Sequence, residues 1–339
     1  MKTLTISNWQ RVIVATVTLT TIAFTTNSTA AELLRGAGDS FAEPLYQRYS
    51  KEYEQQTGEK FKYTVVGISG GIRLFANKSI DFAGTSLIPT PIEQNQIEDG
   101  LLMVPTGGGS IAIVYNLKNA SVDVKLPRET LAKIFTGQIS NWQQVNPRFP
   151  NRKIQVVVNA ESSGTSFVLT KYLREITDGK IEASRKPNWG FRVFAAFPED
   201  SAIAGEVRRV DGAIGYVQTS FARKNNLSTA KIENRAGRYV APTLTETEKA
   251  LANIKFNDDF KTEDIIDPKD GYPLVSLSWL LFHKIYPNEA LVQSNRNLLI
   301  WILTEGQKLN RELEYTKIPD DITKKIVETA KNEMRVRPF

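Results

Sequence analysis

Short apolar runs alternate along the chain with segments in which apolar residues recur every three or four positions. The runs predict strands at 32–38, 61–67, 80–86, 110–116, 154–160, 211–218 and 274–282. The segments with helical spacing predict helices at 41–55, 72–78, 165–177, 288–309 and 319–333. Because buried strands and amphipathic helices alternate, the pattern favours an α/β architecture with mainly parallel sheets.

Three of the predicted strands end in glycine, serine or threonine immediately before a helix. The turns read GAGDSF at 36–41, GISGG at 67–71 and SSGTS at 162–166. In open α/β sheets such turns gather at the carboxyl ends of the strands, and each helix start offers unpaired backbone N–H groups. The three turns together predict a cage of donors for an oxyanion. Alternatively, these residues only cap their helices, which is the usual role of serine and threonine there.

The first thirty residues differ in composition from the rest of the chain. Two basic residues precede a mostly apolar run at 12–24, and small residues follow at 27–31. This order indicates a secretory signal that is cleaved after Ala30 or Ala31. The alternative is a transmembrane anchor, which is less favoured because the apolar run is shorter than the ~20 residues needed to span a bilayer.

Charge and composition exclude several function classes. The 339-residue chain has a net charge of +6, which falls to +4 without residues 1–30, because two basic and no acidic residues are lost. This small excess, without a basic run, gives no support for nucleic-acid binding. The absence of cysteine excludes disulfides, thiol nucleophiles and a lipid anchored through an N-terminal cysteine. With His283 as the single histidine, a histidine-rich zinc site is impossible, and we expect no metal or cofactor.

One motif raises an enzymatic alternative. The turn at 67–71 matches G-x-S-x-G, the nucleophile elbow of α/β-hydrolases, and Ser69 precedes several aspartates and then His283 in the order of such enzymes. The pattern is short and arises readily in a glycine-rich turn, and a lone histidine after an apolar strand is more often structural. We therefore regard a secreted serine hydrolase as the less favoured alternative and predict that the protein is not an enzyme.

The chain also resembles a known family over almost the whole length after residue 33. The matching segments are GAGDSFAEPLY (36–46), TG (57–58), GISGG (67–71), IDFAGTS (80–86), ETLAKIFTGQISNW (129–142), ESSGTSFVLTKYL (161–173), DGAIGYVQTSFARKNNL (211–227) and FHK (282–284). In this order they resemble the periplasmic phosphate-binding protein of the bacterial phosphate ABC transporter. SSGTSF and DGAIGY are the most specific pieces.

The resemblance implies a two-lobed periplasmic binding protein fold of type II, with two mixed, mostly parallel sheets joined by hinge crossings. Lobe one would comprise residues 32–105 and 277–339, and lobe two residues 106–276. One crossing would lie near PTGGGS (105–110), where the glycines suggest a flexible segment, and the other near GYPLVS (271–276).

The resemblance also implies a function and a set of ligand-binding residues. The protein would be a periplasmic monomer that captures inorganic phosphate and delivers it to the membrane permease of an ABC transporter. The positions that match the family's binding segments are Ser40, Phe41, Ile68, Ser69, Ser86, Asn159, Ser163, Gly164 and Thr165. Such a site replaces the water around a buried anion with N–H and O–H donors.

The sequence departs from the family at three of these positions. Asn159 stands where the family has a binding arginine, Ser86 where it has an aspartate that accepts the phosphate proton, and Ile68 where it has a serine. Asp39 occupies a position that is usually small, and we consider it either a replacement proton acceptor or a helix N-cap. We therefore predict altered, lower affinity and weaker discrimination against sulfate. A sensor of the same fold that has no transport role is the alternative.

Overall fold

The computed structural model describes residues 33–120, 122–263, 265 and 267–338. These residues fall within one compact unit of the chain. The predicted signal at 1–30, with its cleavage position, lies outside the described residues. Within the described ranges, no helix has both the length and the apolar composition required to cross a bilayer.

Strands and helices alternate through the first half of the described chain. They are β1 Leu34–Gly38, α1 Glu43–Thr57, β2 Phe61–Val65, α2 Ile68–Ala76, β3 Phe82–Thr85, α3 Pro91–Asn95, β4 Leu101–Asn116, β5 Lys125–Leu126, α4 Arg128–Phe135, α5 Trp142–Val145, β6 Gln155–Asn159 and α6 Gly164–Ile176.

The second half continues with shorter strands before it returns to the main sheet. It contains β7 Ala195–Phe197, α7 Asp200–Arg209, β8 Ala213–Gln218, α8 Thr219–Lys224, β9 Ser228–Thr229, β10 Lys231–Glu233, β11 Tyr239–Val240, α9 Leu244–Leu251, β12 Val275–His283, β13 Ile285–Tyr286, α10 Glu289–Leu303, a 3₁₀ helix Gly306–Leu313, α11 Asp320–Glu333 and β14 Arg335–Val336.

The main sheet has the strand order β2-β1-β3-β12-β4-β8-β6-β7, with β9 added to β4. On one flank β1 pairs in parallel with β2 and β3, and on the other β6 pairs in parallel with β7 and β8. The central strands β12 and β4 are antiparallel to their neighbours. The α/β class and the mixed, mostly parallel sheets on the two flanks are therefore as predicted, and antiparallel strands join them.

Strand β4 belongs to both flanks because it is 16 residues long. Its first part, Leu101 to Ser110, pairs with β12, and its last part, Ile111 to Asn116, pairs with β8. The predicted crossing at 105–110 lies inside this buried strand. The structure shows close packing at these glycines, since a Cβ atom on Gly108 would lie 2.2 Å from a Leu251 methyl carbon. The glycines allow close packing.

Helix α1 shows how local sequence places the first half of the site. Pro44 lies in its first turn, where a missing N–H costs nothing, and Gly58 ends it with a left-handed φ of 76°. Leu45, Tyr49 and Tyr53 form its buried face. This face fixes the helix against the sheet, so that its N-terminus stays at the end of β1.

Six of the predicted strands, together with α1 and α6, agree with the structure to within a few residues. The exception is β4, which begins at Leu101, nine residues before the strand predicted at 110–116. The predicted helix at 288–309 ends at Leu303, and a 3₁₀ helix follows. Helix α2 begins at Ile68, so the turn GISGG forms its first turn and does not precede the helix. The hydrophobic pattern did not predict the shorter helices α3, α4, α5, α7, α8 and α9. Nothing in the structure tests the predicted lobe boundaries, which remain predictions.

Candidate functional site

The N-termini of α1, α2 and α6 meet at the carboxyl ends of their preceding strands. Asp39 lies between β1 and α1, and its Oδ1 accepts a hydrogen bond at 3.3 Å from the amide of Gly164, the first residue of α6. The amide of Ile68 donates to the carbonyl oxygen of Ser162 at 3.3 Å, and the hydroxyl oxygens of Ser69 and Ser162 are 3.2 Å apart. The convergence of three turns that the sequence predicts is therefore present.

A carboxylate from the chain itself lies at the meeting point. Asp39 is only 2% exposed, and the Ser86 hydroxyl donates to its Oδ2 while Gly164 donates to its Oδ1. There is no room for a side chain on Gly164, because a Cβ atom there would lie 2.4 Å from Asp39 Oδ2 and 1.8 Å from Ser86 Oγ. Glycine at this position is what lets α6 approach Asp39.

Burial is the main influence on the acidity of Asp39. Desolvation raises the pKa of its carboxyl, and hydrogen bonds from the Ser86 hydroxyl and from the backbone amides of Phe41, Gly164 and Ser86 act in the opposite direction. Among the described residues, no lysine or arginine is one of the groups that shift this pKa. Hydrogen-bond donors therefore stabilise the ionised form of Asp39 against the cost of its burial.

A second buried carboxyl, Asp200 at the start of α7, contacts the first turn of α6. It is fully buried, accepts from the Thr165 hydroxyl at 3.2 Å through Oδ1, and accepts from the Gln218 amide at 2.8 Å through Oδ2. Burial raises its pKa to about 7, and the charge of Asp39 acts in the same direction. Asp200 was not predicted from the sequence, because the segment PED at 198–200 before an amphipathic segment is typical of an ordinary helix start.

The other predicted ligand-binding residues near α6 form their hydrogen bonds with groups close to α6 and β6. Asn159 ends β6, is 4% exposed, and accepts the Glu161 amide at 2.8 Å while its Nδ2 donates to the Pro198 carbonyl at 3.4 Å. Ser163 caps α6, and its hydroxyl oxygen is 2.7 Å from that of Thr165. None of the hydrogen bonds found for the Asn159 side chain reaches the donors around Asp39.

The predicted residues of the α1 and α2 side are placed differently from one another. Ser40 is buried, and its carbonyl oxygen accepts the Glu43 amide at 3.1 Å. Phe41 is fully buried, with its ring edge-on to Tyr315 at 6.3 Å. The Ile68 amide, expected as a ligand donor, is used by Ser162, as described above. Ser69 lies on the exposed side of the same contact.

The structure does not bring the components of a serine hydrolase together. Ser69 lies in the first turn of α2, whereas the His283 ring stacks on Phe75 in the last turn, with ring centroids 3.9 Å apart. Six residues of helix separate them by about 9 Å along the axis. Burial also lowers the pKa of His283 to about 4. Ser69 and His283 therefore cannot form a nucleophile and base pair in this arrangement.

Within the described ranges, no group of three or more histidine, cysteine, aspartate or glutamate side chains is placed to hold a metal ion. The site therefore consists of helix amides, hydroxyl groups and buried carboxyls.

Parallel strands that direct several helix N-termini to one buried point are the arrangement with which α/β proteins bind small polar ligands at the strand ends. The comparison with protein families agrees with this class. The profile of the PBP superfamily domain matches residues 25–295, and the chain belongs to that superfamily.

Several relatives and solved structures are similar over nearly the whole chain. The phosphate-binding protein PstS of Pasteurella multocida is 28% identical, over 96% of this chain and 97% of its own length. PstS of Haemophilus influenzae is 29% identical, with 90% and 94% covered. A high-affinity periplasmic phosphate-binding protein solved with phosphate has a TM-score of 0.76 at 18% identity, covering 88% and 94%. The phosphate-binding protein of Stenotrophomonas maltophilia gives 0.71 at 19%, covering 88% and 94%. At this identity the structures establish the fold.

Proposed function

We propose that the protein is an exported solute-binding protein that captures inorganic phosphate for an ABC-type import system, in which a membrane permease is its partner. Relatives that align along nearly their full length are named phosphate-binding proteins, and this supports the assignment. Catalysis is not part of the proposal, because Ser69 and His283 lie at opposite ends of α2.

One observation carries the proposal. The Ser86 hydroxyl and the Gly164 amide, two of the positions that match the family's binding segments, already hold a carboxylate in a buried place. A carboxylate and a phosphate are both oxyanions and take the same N–H and O–H donors. The geometry at the start of α6 therefore suits an oxyanion, as expected at a helix N-terminus.

The affinity should be lower than in a site that contains an arginine. Asn159, which stands at the arginine position, turns its side chain to backbone groups of its own side. A charge-assisted hydrogen bond contributes about 1.5–3 kcal/mol, so the lost arginine weakens binding by at least about tenfold unless another donor replaces it.

Isothermal titration calorimetry of the purified protein with phosphate, sulfate and arsenate tests the proposal. We expect phosphate and arsenate to bind, with weaker discrimination against sulfate than an aspartate at position 86 would give. Gly164→Ala should reduce phosphate affinity at least tenfold, because its Cβ would collide with Ser86 Oγ.

The matched control is Gly205→Ala, since a Cβ on Gly205 in α7 meets nothing within 4 Å and phosphate binding should be unchanged. Absence of heat with phosphate at millimolar concentration, together with heat from a different anion, would contradict phosphate as the ligand.

A further inference from the structure

Three of the residues predicted to bind the ligand, Ser86, Phe41 and Gly164, direct their donors to Asp39. Its two carboxylate oxygens accept from different halves of the site, one from the Ser86 hydroxyl and one from the Gly164 amide. The amides of Phe41 and Ser86 also stabilise its negative charge. Of these donors, Ser86, Phe41 and Gly164 are all positions that the family resemblance assigns to the ligand.

We propose, on the basis of the proposed function, that Asp39 is an internal competitor of the ligand: its carboxylate occupies the oxyanion position, and phosphate binds only when that side chain is displaced. Asp39 thereby sets both the affinity of the site and its preference for oxyanions of low charge. This role differs from that of a carboxylate that accepts a proton from bound phosphate, since the latter strengthens binding and a competitor weakens it.

Space and hydrogen bonding favour the competitor. A proton acceptor needs a free lone pair directed at the ligand and a ligand-sized volume beside it. A carboxylate has about four lone-pair sites, and four protein donors already serve Asp39: the Ser86 hydroxyl and the amides of Phe41, Gly164 and Ser86. Atoms of Asp39 and Ser86 also lie within 2.4 Å of a Cβ position on Gly164. Phosphate cannot reach the Gly164 amide while the carboxylate remains against it.

The surrounding charges add to the competition. The titratable groups that interact electrostatically with Asp39 are Asp200 at the start of α7, Tyr46 on α1, Tyr63 on β2 and Tyr315 after the 3₁₀ helix. Glu43, in the first turn of α1, also raises the pKa of Asp200 and of Tyr63. These facing groups are acidic or neutral, so a dianion is repelled more strongly than a monoanion.

The charge pattern gives the proposal a pH dependence with a definite sign. Protonation of Asp39 removes the competing charge and weakens its hold on the amide donors, and acid also converts phosphate to its monoanion. Phosphate should therefore bind more tightly as the pH falls from 8 to 6. Conversion of phosphate to its monoanion favours binding at low pH by itself, so the contribution of Asp39 is the part of this trend that disappears when its carboxyl is removed.

The decisive experiment compares phosphate binding by the wild-type protein and by Asp39→Ser, using isothermal titration calorimetry at pH 6 and pH 8. We expect Asp39→Ser to bind phosphate at least tenfold more tightly at pH 8 and to gain less affinity between pH 8 and pH 6 than the wild-type protein does, because only the contribution of the phosphate monoanion remains. Glu43→Gln is the matched control, because it removes a nearby carboxylate that accepts from none of the donors around Asp39, and it should change affinity less than threefold.

The outcomes separate the inference from the proposed function. Tighter binding by Asp39→Ser supports both. If the wild-type protein binds phosphate and Asp39→Ser binds it more weakly, the function stands and the inference is wrong. If neither protein binds phosphate at millimolar concentration, the proposed function fails, and the inference fails with it.

Hydrogen exchange supplies a readout that does not depend on phosphate. The Gly164 amide is the first of α6 and has no partner within the helix, so its protection depends on Asp39. In the ligand-free protein we expect this amide to exchange at least tenfold faster in Asp39→Ser than in wild type. Equal exchange rates would show that the carboxylate does not hold the start of α6 and would overturn the inference.

Discussion

Two buried carboxyl groups govern the chemistry at the scale of single residues. Asp39 and Asp200 are linked through the first turn of α6, since Asp39 accepts from Gly164 and Asp200 from Thr165. Burial raises the pKa of both, and the charge of Asp39 raises that of Asp200 further. A buried pair of this kind makes the stability of the fold depend on pH, because ionisation costs more in the folded than in the unfolded chain.

We predict that Asp200 lowers the free energy of unfolding as the pH rises. Its pKa is about 7 in the folded protein, against 3.8 for a free aspartate. Below pH 3.8 Asp200 is protonated in both states and costs the fold nothing. As the pH rises from 3.8 to about 7, the unfolded chain ionises Asp200 more readily than the folded chain, and the free energy of unfolding falls. At about 1.4 kcal/mol per pKa unit, a shift from 3.8 to about 7 corresponds to a loss on the order of 4–5 kcal/mol.

Urea denaturation at pH 4.5 and pH 7.5 measures this loss. Asp200→Asn should remove most of the decrease, whereas Asp258→Asn, at an exposed position, should leave it unchanged. A decrease of the same size in Asp200→Asn would assign the pH dependence to other groups.

Residue-level reasoning from sequence was partial at this site. It identified Ser86, Gly164 and Thr165 as members of one site from the SSGTS turn and the family resemblance, and the structure places them together. It offered two roles for Asp39, and the contacts add a third, because hydrogen bonds to Asp39 cross from one helix start to another. Pairings between residues 125 positions apart cannot be read from local spacing.

At the scale of elements, helix α2 explains the glycines of the GISGG turn. Gly67 has a left-handed φ of 75°, and a Cβ there would lie 2.7 Å from the Ser162 carbonyl oxygen. Gly71 faces β1, where a Cβ would lie 2.6 Å from the Gly38 Cα. The pattern that resembles a nucleophile elbow is therefore set by the close approach of α2 to β1 and to the start of α6.

A matched pair of glycine substitutions tests this packing. Gly71→Ala should destabilise the protein by about 1–3 kcal/mol, because the new methyl group meets backbone atoms that cannot rotate away. Gly205→Ala, in an open position on helix α7, should stabilise it by about 0.5–1 kcal/mol. Thermal unfolding of the two variants checks the prediction, which equal melting temperatures would contradict.

At the scale of the whole molecule, the predicted lobes are linked by ion pairs as well as by the site. Arg185, in predicted lobe two, donates through both terminal nitrogens to Glu93 of α3 in predicted lobe one, at 2.7 and 3.2 Å. Both side chains are only 19% exposed. Burial acts to raise the pKa of Glu93, but hydrogen bonds from Arg185 and Thr90 outweigh it and lower that pKa. The pair joins α3 to the loop that follows α6.

We predict that this ion pair stabilises the closed arrangement of the two lobes. Arg185→Gln should weaken phosphate binding by roughly 3–10-fold, or about 0.7–1.4 kcal/mol, and should increase the radius of gyration of the ligand-free protein. Calorimetry and small-angle X-ray scattering measure the two effects. Arg238→Gln is the control, since its partner Asp270 lies in the same predicted lobe and both side chains are mostly exposed. Unchanged scattering and affinity in Arg185→Gln would contradict a role in closure.

The sequence by itself determined the α/β class, the order of the buried strands and the three donor-rich turns, because hydrophobic periodicity and helix-start chemistry are local properties. Only the tertiary structure decided that β4 passes through both flanks of one sheet and that its glycines are packed. It alone also placed Asp39 against Ser86 and Gly164, and Asp200 beneath Thr165. Those placements follow from strand order and from the close approach of helices at glycine, which depend on contacts between residues far apart in the chain.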